Sequence, residues 1–375
     1  MRIDQSVWSP GVGWSGAQAP SPADLVLVFG ARELLESGER LKEVAAAFPQ
    51  GVVMGCSTSG EIHGRTVLDQ TVTTTALTFE ADTTVRAARA KLGNGDSYEV
   101  GYRVGRELAA PELRHLFVLS DGLNVNGSEL VRGLAAAIPV GVEITGGLAG
   151  DGASFQRTLV SLGAVAESGV VVAVGLYGAQ LRIGCASLGG WDAFGPEREV
   201  TRSSGNVLYE LDGRSALELY KEYLGEHALG LPASGLLFPL SMRHDETSGV
   251  VRTILAVDDA AGSLTFAGDI RQGAFVRLMK ANFDRLIDGS HRAALATRVR
   301  SPGSPPQLGI LISCVGRKLV LRGRVEEEVE AASEALGDLV PLTGFYSYGE
   351  ISPFTPDARC ELHNQTMTIT TLSEV

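Results

Sequence analysis

The sequence lacks paired cysteines. Its 375 residues hold Cys56, Cys185, Cys314 and Cys360, far apart and without a CxxC spacing. This spacing indicates neither a zinc ribbon nor a disulfide framework, and the four read as reduced thiols of a cytoplasmic protein. Basic runs are missing too. Lys and Arg number 32 against 44 Asp and Glu, a formal charge of −12. With no stretch rich in Lys or Arg, the chain is a poor partner for nucleic acid or for an anionic membrane surface. Apolar runs are short. The best of them, Gly169 to Tyr177, has the length and composition of a buried strand, so no membrane insertion is expected. The first residues lack the continuous apolar core of a secretory signal, and export is not expected. What remains is globular composition, 44% hydrophobic and 20% charged, which excludes disorder and collagen-like structure. The length suits two domains or one large one.

Along the chain, strand and helix patterns alternate. An arm rich in Gly, Pro and Ser, residues 1–24, carries Trp8 and Trp14, which would pack it down. Leu25–Phe29 reads as a buried strand and Glu33–Phe48 as a helix ending before Pro49; Val52–Met54 and Thr71–Phe79 read as strands. A similar order follows. Ser97–Ala109 is helical, His115–Leu119 a strand, and Gly127–Ile138 a helix with Asn126 or Ser128 as cap. Glu143–Thr145 leads into glycines, then strands at Thr158–Leu162 and Val170–Leu176. The order recurs near the end. Ala274–Thr297 reads as a helix, Ser301–Pro306 as a breaker and Leu308–Ser313 as a strand. Glu326–Leu336 is a helix with an acidic first turn, and Thr366–Leu372 a closing strand.

The informative feature is an internal repeat. Gly55 to Ile62 reads GCSTSGEI and Gly344 to Ile351 reads GFYSYGEI, both G-x4-G-E-I. Each follows a helix, a proline and a short strand. Each leads to a Gln-Thr strand, at Gln70-Thr71 and Gln365-Thr366. Thr145 to Asp151, TGGLAGD, is a looser middle copy. The glycine spacing is that of a phosphate loop, but Glu-Ile stands where Lys and Ser/Thr would meet phosphate and magnesium. A carboxylate there repels phosphate, so a nucleotide loop is rejected. Two readings of Glu61, Asp151 and Glu350 stay open. They hold a cationic or amino group in a pocket with Ser57, Thr58, Tyr346 and Tyr348, or they cap N–H groups at tight corners.

The stretches GCSTSGEI, TGGLAGDG, NVLYEL…LELY, SCVGR, GFYSYGEI and CELHNQT together resemble a FIST-domain protein. The resemblance covers nearly the whole chain, a FIST N-terminal domain over 25–195 and a FIST C-terminal domain over 205–375. It implies a sensory, ligand-binding module of signal transduction, with small ligands such as amino acids. For some bacterial members it implies haem and nitric-oxide sensing. FIST-like sequence fills the chain, so signalling is expected to pass through a separate partner such as a kinase or receptor.

The expected fold is mixed α/β (α+β). Three β-α-β-β repeats form twisted mixed sheets under helices, in two lobes whose glycine turns converge on one cleft. Arg317, Lys318, Arg322 and Arg324 form a basic cluster that pairs with Glu326–Glu328; alternatively Arg317, if turned inward, would hold a ligand carboxylate while Glu61 or Glu350 holds an ammonium. Cys314 beside Arg317 is a candidate reactive thiol, or a small buried hydrophobe. Glu361 and His363 fall on one face of an extended segment, with Asn364 beside them, as an acid/base pair or a polar network. His63 and His363 are candidate axial haem ligands, yet no haem signature such as CxxCH is present. Asp121 ends a strand where open α/β sheets bind ligands. No complete catalytic constellation is visible, so a non-enzymatic sensor is expected, without a required cofactor. A Cys/His-dependent enzyme and a haem sensor are the alternatives.

Overall fold

A computed structural model describes residues 1–16, 22–93, 96–243, 249–300, 303–353 and 359–375. The fold is mixed α+β, and three of its sheets share one plan. Each is built on a parallel pair: Leu25–Gly30 with Val52–Ser57, Leu113–Ser120 with Glu143–Leu148, and Leu308–Cys314 with Leu342–Ser347. Helices connect each pair, as parallel strands require. An antiparallel return strand completes each unit: Val72–Thr78, Val170–Tyr177 and Met367–Glu374.

Alternation along the strands buries both faces. Leu25, Leu27 and Phe29 join Phe117, Leu119, Val172, Ile310, Ile312 and Phe345 in one core shared by all three sheets. The Phe29 and Phe345 ring centroids lie 4.8 Å apart. The intervening residues Val26 and Val28 face Leu41 and Val44 of the covering helix. Val118 and Val171 face Val104 and Leu134, and Leu311 and Ile369 face Val329 and Ala332.

The three units are laced together by exchange. The hairpin after the first glycine turn, Glu61–His63 and Thr66–Leu68, adds to the third sheet. The hairpin after the second, Val160–Leu162 and Val165–Glu167, adds to the first sheet. The hairpin after the third, Gly349–Pro353 and Cys360–His363, adds to the second. The N-terminal half also lends Leu181–Leu188 to the edge of the third sheet.

Between the second and third units, residues 192–280 form an eight-stranded antiparallel sheet with its own core of Leu208, Tyr220, Leu240, Phe266 and Val276. Here the sequence expectation fails. Ala274–Thr297 is not one helix. Phe275–Lys280 is a strand with alternating burial, and the helix is Phe283–Thr297, capped by Asn282. The Glu33–Phe48 helix is likewise split into Arg32–Glu36 and Glu39–Ala47, because Gly38 adopts a left-handed φ of 70°. The described part of the N-terminal arm forms strands Arg2–Ser9 and Gly13–Ser15 on the first sheet, with Trp8 and Trp14 against its outer core. Residues 17–21 of the arm and 301–302 of the breaker lie outside the described residues. No described helix is long and apolar enough to cross a membrane.

Candidate functional site

The three glycine turns meet, as expected, but they close on one another instead of lining a cleft. Ser59 N donates to Tyr346 O at 2.8 Å, Gly150 N to Ser57 O at 2.9 Å, and Tyr348 N to Leu148 O at 3.2 Å. These bonds run cyclically around the junction of the three units. Close packing requires glycine at the root of each turn. At Gly344, φ is 154° and a Cβ would lie 1.7 Å from Leu311 O.

Glu61 and Glu350 are buried clamps. Thr58 Oγ1 donates to Glu61 at 2.5 Å; Thr71 donates through its N at 3.3 Å and its Oγ1 at 2.7 Å. Ser347 Oγ donates to Glu350 at 2.6 Å; Thr366 donates through N at 3.2 Å and Oγ1 at 2.9 Å. Each clamp ties its turn to the Gln-Thr strand, which starts from a left-handed residue, Gln70 at φ 57° or Gln365 at φ 63°. Burial pushes Glu61 up to about 7 and Glu350 up to about 8. Asp151 accepts the backbone N–H groups of Phe155, Gln156 and Arg157 at 2.9 Å each, and the Tyr348 hydroxyl. The corner-capping reading therefore holds for all three acids. Ser57 belongs to the same corners, its Oγ accepting Leu159 N at 2.9 Å. Asp121 likewise accepts the N–H groups of Leu123, Asn124 and Gly169.

Arg317 does point inward, but its guanidinium is used by the protein itself. It pairs with Glu328 at 2.6 Å and donates to Gly189 O at 2.6 Å and Leu286 O at 2.8 Å. Ser313 and the Tyr346 hydroxyl complete the Glu328 shell, at 3.0 and 2.7 Å. The expected pairing of Arg317 and the turn acids around one ligand is thus not found. Nor is Cys314 activated. It is buried, and desolvation raises its thiol well above the usual range, with Arg317 only a minor opposing influence. Glu361 and His363 do not act as a pair either. Glu361 is exposed, whereas buried His363 donates Nε2–H to Ser352 O at 2.8 Å, and burial lowers it to about 4.

The two candidate haem histidines differ in their surroundings. His363 is wholly buried within its sheet and bonded as described. His63 is half-buried with Nδ1 unpartnered, but its cross-strand neighbours are Thr343 and Thr66, and Arg65 beside it bonds Ser333. These polar surroundings do not fit the apolar face a porphyrin needs.

Some buried partners are missing along the seam between the inserted sheet and the second and third units, which several hydrogen bonds cross. Trp191 Nε1 donates to Gln365 O at 2.7 Å, Gln365 Nε2 to Leu236 O at 3.1 Å, Arg252 Nη1 to Leu362 O at 2.8 Å, and Asn126 Nδ2 to Asp269 Oδ1 at 2.9 Å. Beside them, Thr253 Oγ1, Asn364 Oδ1 and Gln365 Oε1 are buried with no hydrogen-bond partner. A buried polar atom without a partner costs about 1–3 kcal/mol, so each of these oxygens would be stabilised by a donor from a ligand or a water. The Gln-Thr motif and Asn364 marked part of this seam in the sequence; Arg252 and Thr253 carry no sequence signal. An open depression of about 320 Å³, bordered by Asp82, Glu112, Arg114 and Tyr177, lies at the other end of the second sheet and brings together none of the expected residues.

Comparison with known proteins places the chain among relatives over most of its length. A family model described as the FIST N domain matches residues 24–214, and one described as the FIST C domain matches 216–353. An uncharacterised protein of Mycobacterium tuberculosis is 25% identical over 347 residues, covering 89% of this chain and 87% of its own. An uncharacterised protein of Mycobacterium bovis is 28% identical over 179 residues, 44% of each chain. One from Methanocaldococcus jannaschii is 26% identical over 162 residues, 39% of this chain and 31% of its own.

Proposed function

The chain belongs to the FIST family, whose domains are sensory modules of signal transduction, and on that premise we propose that it senses a small polar, amino-acid-like ligand and signals through a separate protein such as a kinase or receptor. The ligand sits at the seam of the inserted sheet, not between the glycine turns. The observation that carries this reading is the grouping of Thr253, Asn364 and Gln365, whose buried oxygens lack partners while the turn acids are saturated. Such acceptors suit an ammonium or hydroxyl group. The reading is non-enzymatic and needs no cofactor. At neutral pH, Cys314 is a thiol and His363 a neutral donor already in use, so neither supplies a nucleophile or a mobile proton.

Native mass spectrometry of freshly purified protein tests the reading, followed by the same spectrum after denaturation. A mass excess in the range of a small metabolite that vanishes on denaturation is expected. An excess of haem mass would replace this reading with the haem sensor. A bare chain that takes up no compound from a metabolite panel would count against a ligand altogether.

A further inference from the structure

Among the described residues two arginines are buried, and their charges are met differently. Arg317 is neutralised by Glu328 at 2.6 Å. Arg252, 5% exposed, has no such counter-ion. Its bonds go to carbonyls: Leu362 O at 2.8 Å, Asp269 O at 3.2 Å and, at the margin, Val251 O at 3.5 Å. Among the described residues no carboxylate forms an ion pair with it and no acceptor meets its Nη2. An arginine stays protonated at neutral pH, and burial brings this one down only to about 10. Asp269 and Glu361 offset this charge from a distance, but no described carboxylate meets it in contact, and carbonyl dipoles offset a buried charge poorly.

We propose that Arg252 is the anion seat of the seam and takes the carboxylate of the ligand. The assignment rests on the sensory reading given above and names the chemistry of its ligand. With Nε and Nη1 already on carbonyls, Nη2 is the donor left to meet a carboxylate oxygen. The nearby charges favour a singly charged group over a phosphate. Asp269 and Glu361 both lie close enough to act on Arg252, and a dianion would meet their repulsion. Leu362, which Arg252 contacts, lies two and three residues before Asn364 and Gln365 on the same stretch of chain.

The experiment uses the full chain. Thermal shift and calorimetric titration are run with the proteinogenic amino acids, short mono- and dicarboxylic acids, the amides of those that act, and inorganic phosphate. Acids should stabilise the protein and their amides should not. Arg252→Lys keeps the charge but loses the fork, and should weaken acid binding about tenfold or more. Should that variant fail to fold, Asp269→Asn serves instead. It removes a competing negative charge and should tighten acid binding several-fold. Acids and amides binding equally would overturn the carboxylate seat and leave the sensory reading standing. Phosphate binding in place of carboxylates would overturn the choice of anion. No response to any compound would overturn both.

Discussion

Glu61 and Glu350 hold the same position in two different turns: each accepts one hydroxyl from three residues before it, and the N–H and hydroxyl of the threonine that opens the next strand. Two distant glutamates with one set of partners make the repeat a physical fact, and they also make it titratable.

Stability should therefore fall as pH rises through neutrality. Burial raises Glu61 to about 7 and Glu350 to about 8, above their unfolded value near 4.3. The folded chain then holds these protons more tightly than the unfolded one. Their contribution is full below the unfolded value and is lost as pH passes the folded values. His115 and His363, lowered by burial to about 3 and 4, act with the opposite sign, but only below about pH 6.5. From about pH 6.5 to 8.5 the free energy of unfolding should decline, by at most ~1.4 kcal/mol per pH unit for each clamp. Urea unfolding at stepped pH reads this slope, and Glu350→Gln should flatten its upper part. A wild-type profile that is level across this range contradicts the clamps' raised values.

The thiols should be silent in the native protein. Cys56 and Cys314 are fully buried, and burial raises both. Iodoacetamide at neutral pH should leave them unmodified over a period that fully labels the denatured chain, with Cys360 the most accessible of the four. Rapid native labelling of Cys314 would reopen the enzyme reading.

The Arg317–Glu328 pair should be costly to break from one side. Glu328→Ala strands a buried guanidinium and removes the acceptor of Ser313 and Tyr346, a loss of about 3–5 kcal/mol. Replacing both partners by apolar residues, as in Arg317→Met with Glu328→Leu, should recover part of it. A denaturant midpoint that drops further in the double variant would mean the pair stabilises through more than mutual neutralisation.

Glycine substitutions should separate the turns from ordinary loops. Gly344→Ala combines a forbidden φ with a backbone collision and should yield no folded protein. Gly64→Ala has a φ of 58° but open space, and should cost roughly 1–2 kcal/mol. Expression and circular dichroism distinguish the two outcomes.

The sequence made the turns legible because their chemistry is local. A glycine that must approach a neighbouring strand, and a glutamate that must meet a threonine, leave fixed letters at fixed spacings. It hid what is not local. Nothing in GEI says that Ile62 will pair beside Gly344, or Ile351 beside Gly146. The convergence of the turns was foreseen; their sealing was not, because it depends on backbone bonds such as Ser59 to Tyr346 that no side chain announces. Phe275–Lys280 resembles helix in the sequence because a short apolar pattern fits either period, and only the cap at Asn282 marks where the helix begins. Arg317 and its partner Glu328 are legible together, because the basic cluster stands directly before the acidic helix start and the pairing is local in sequence. Arg252 looked like any surface arginine.

The hairpin exchange has a consequence for assembly. A single unit of this kind cannot finish its own sheet, since the hairpin that completes it is always supplied by another unit. Three units passing hairpins around a ring leave none unfinished. Three separate copies of such a unit could close the same ring as a homotrimer by swapping hairpins, whereas here one polypeptide carries all three and the inserted sheet interrupts the ring at one junction.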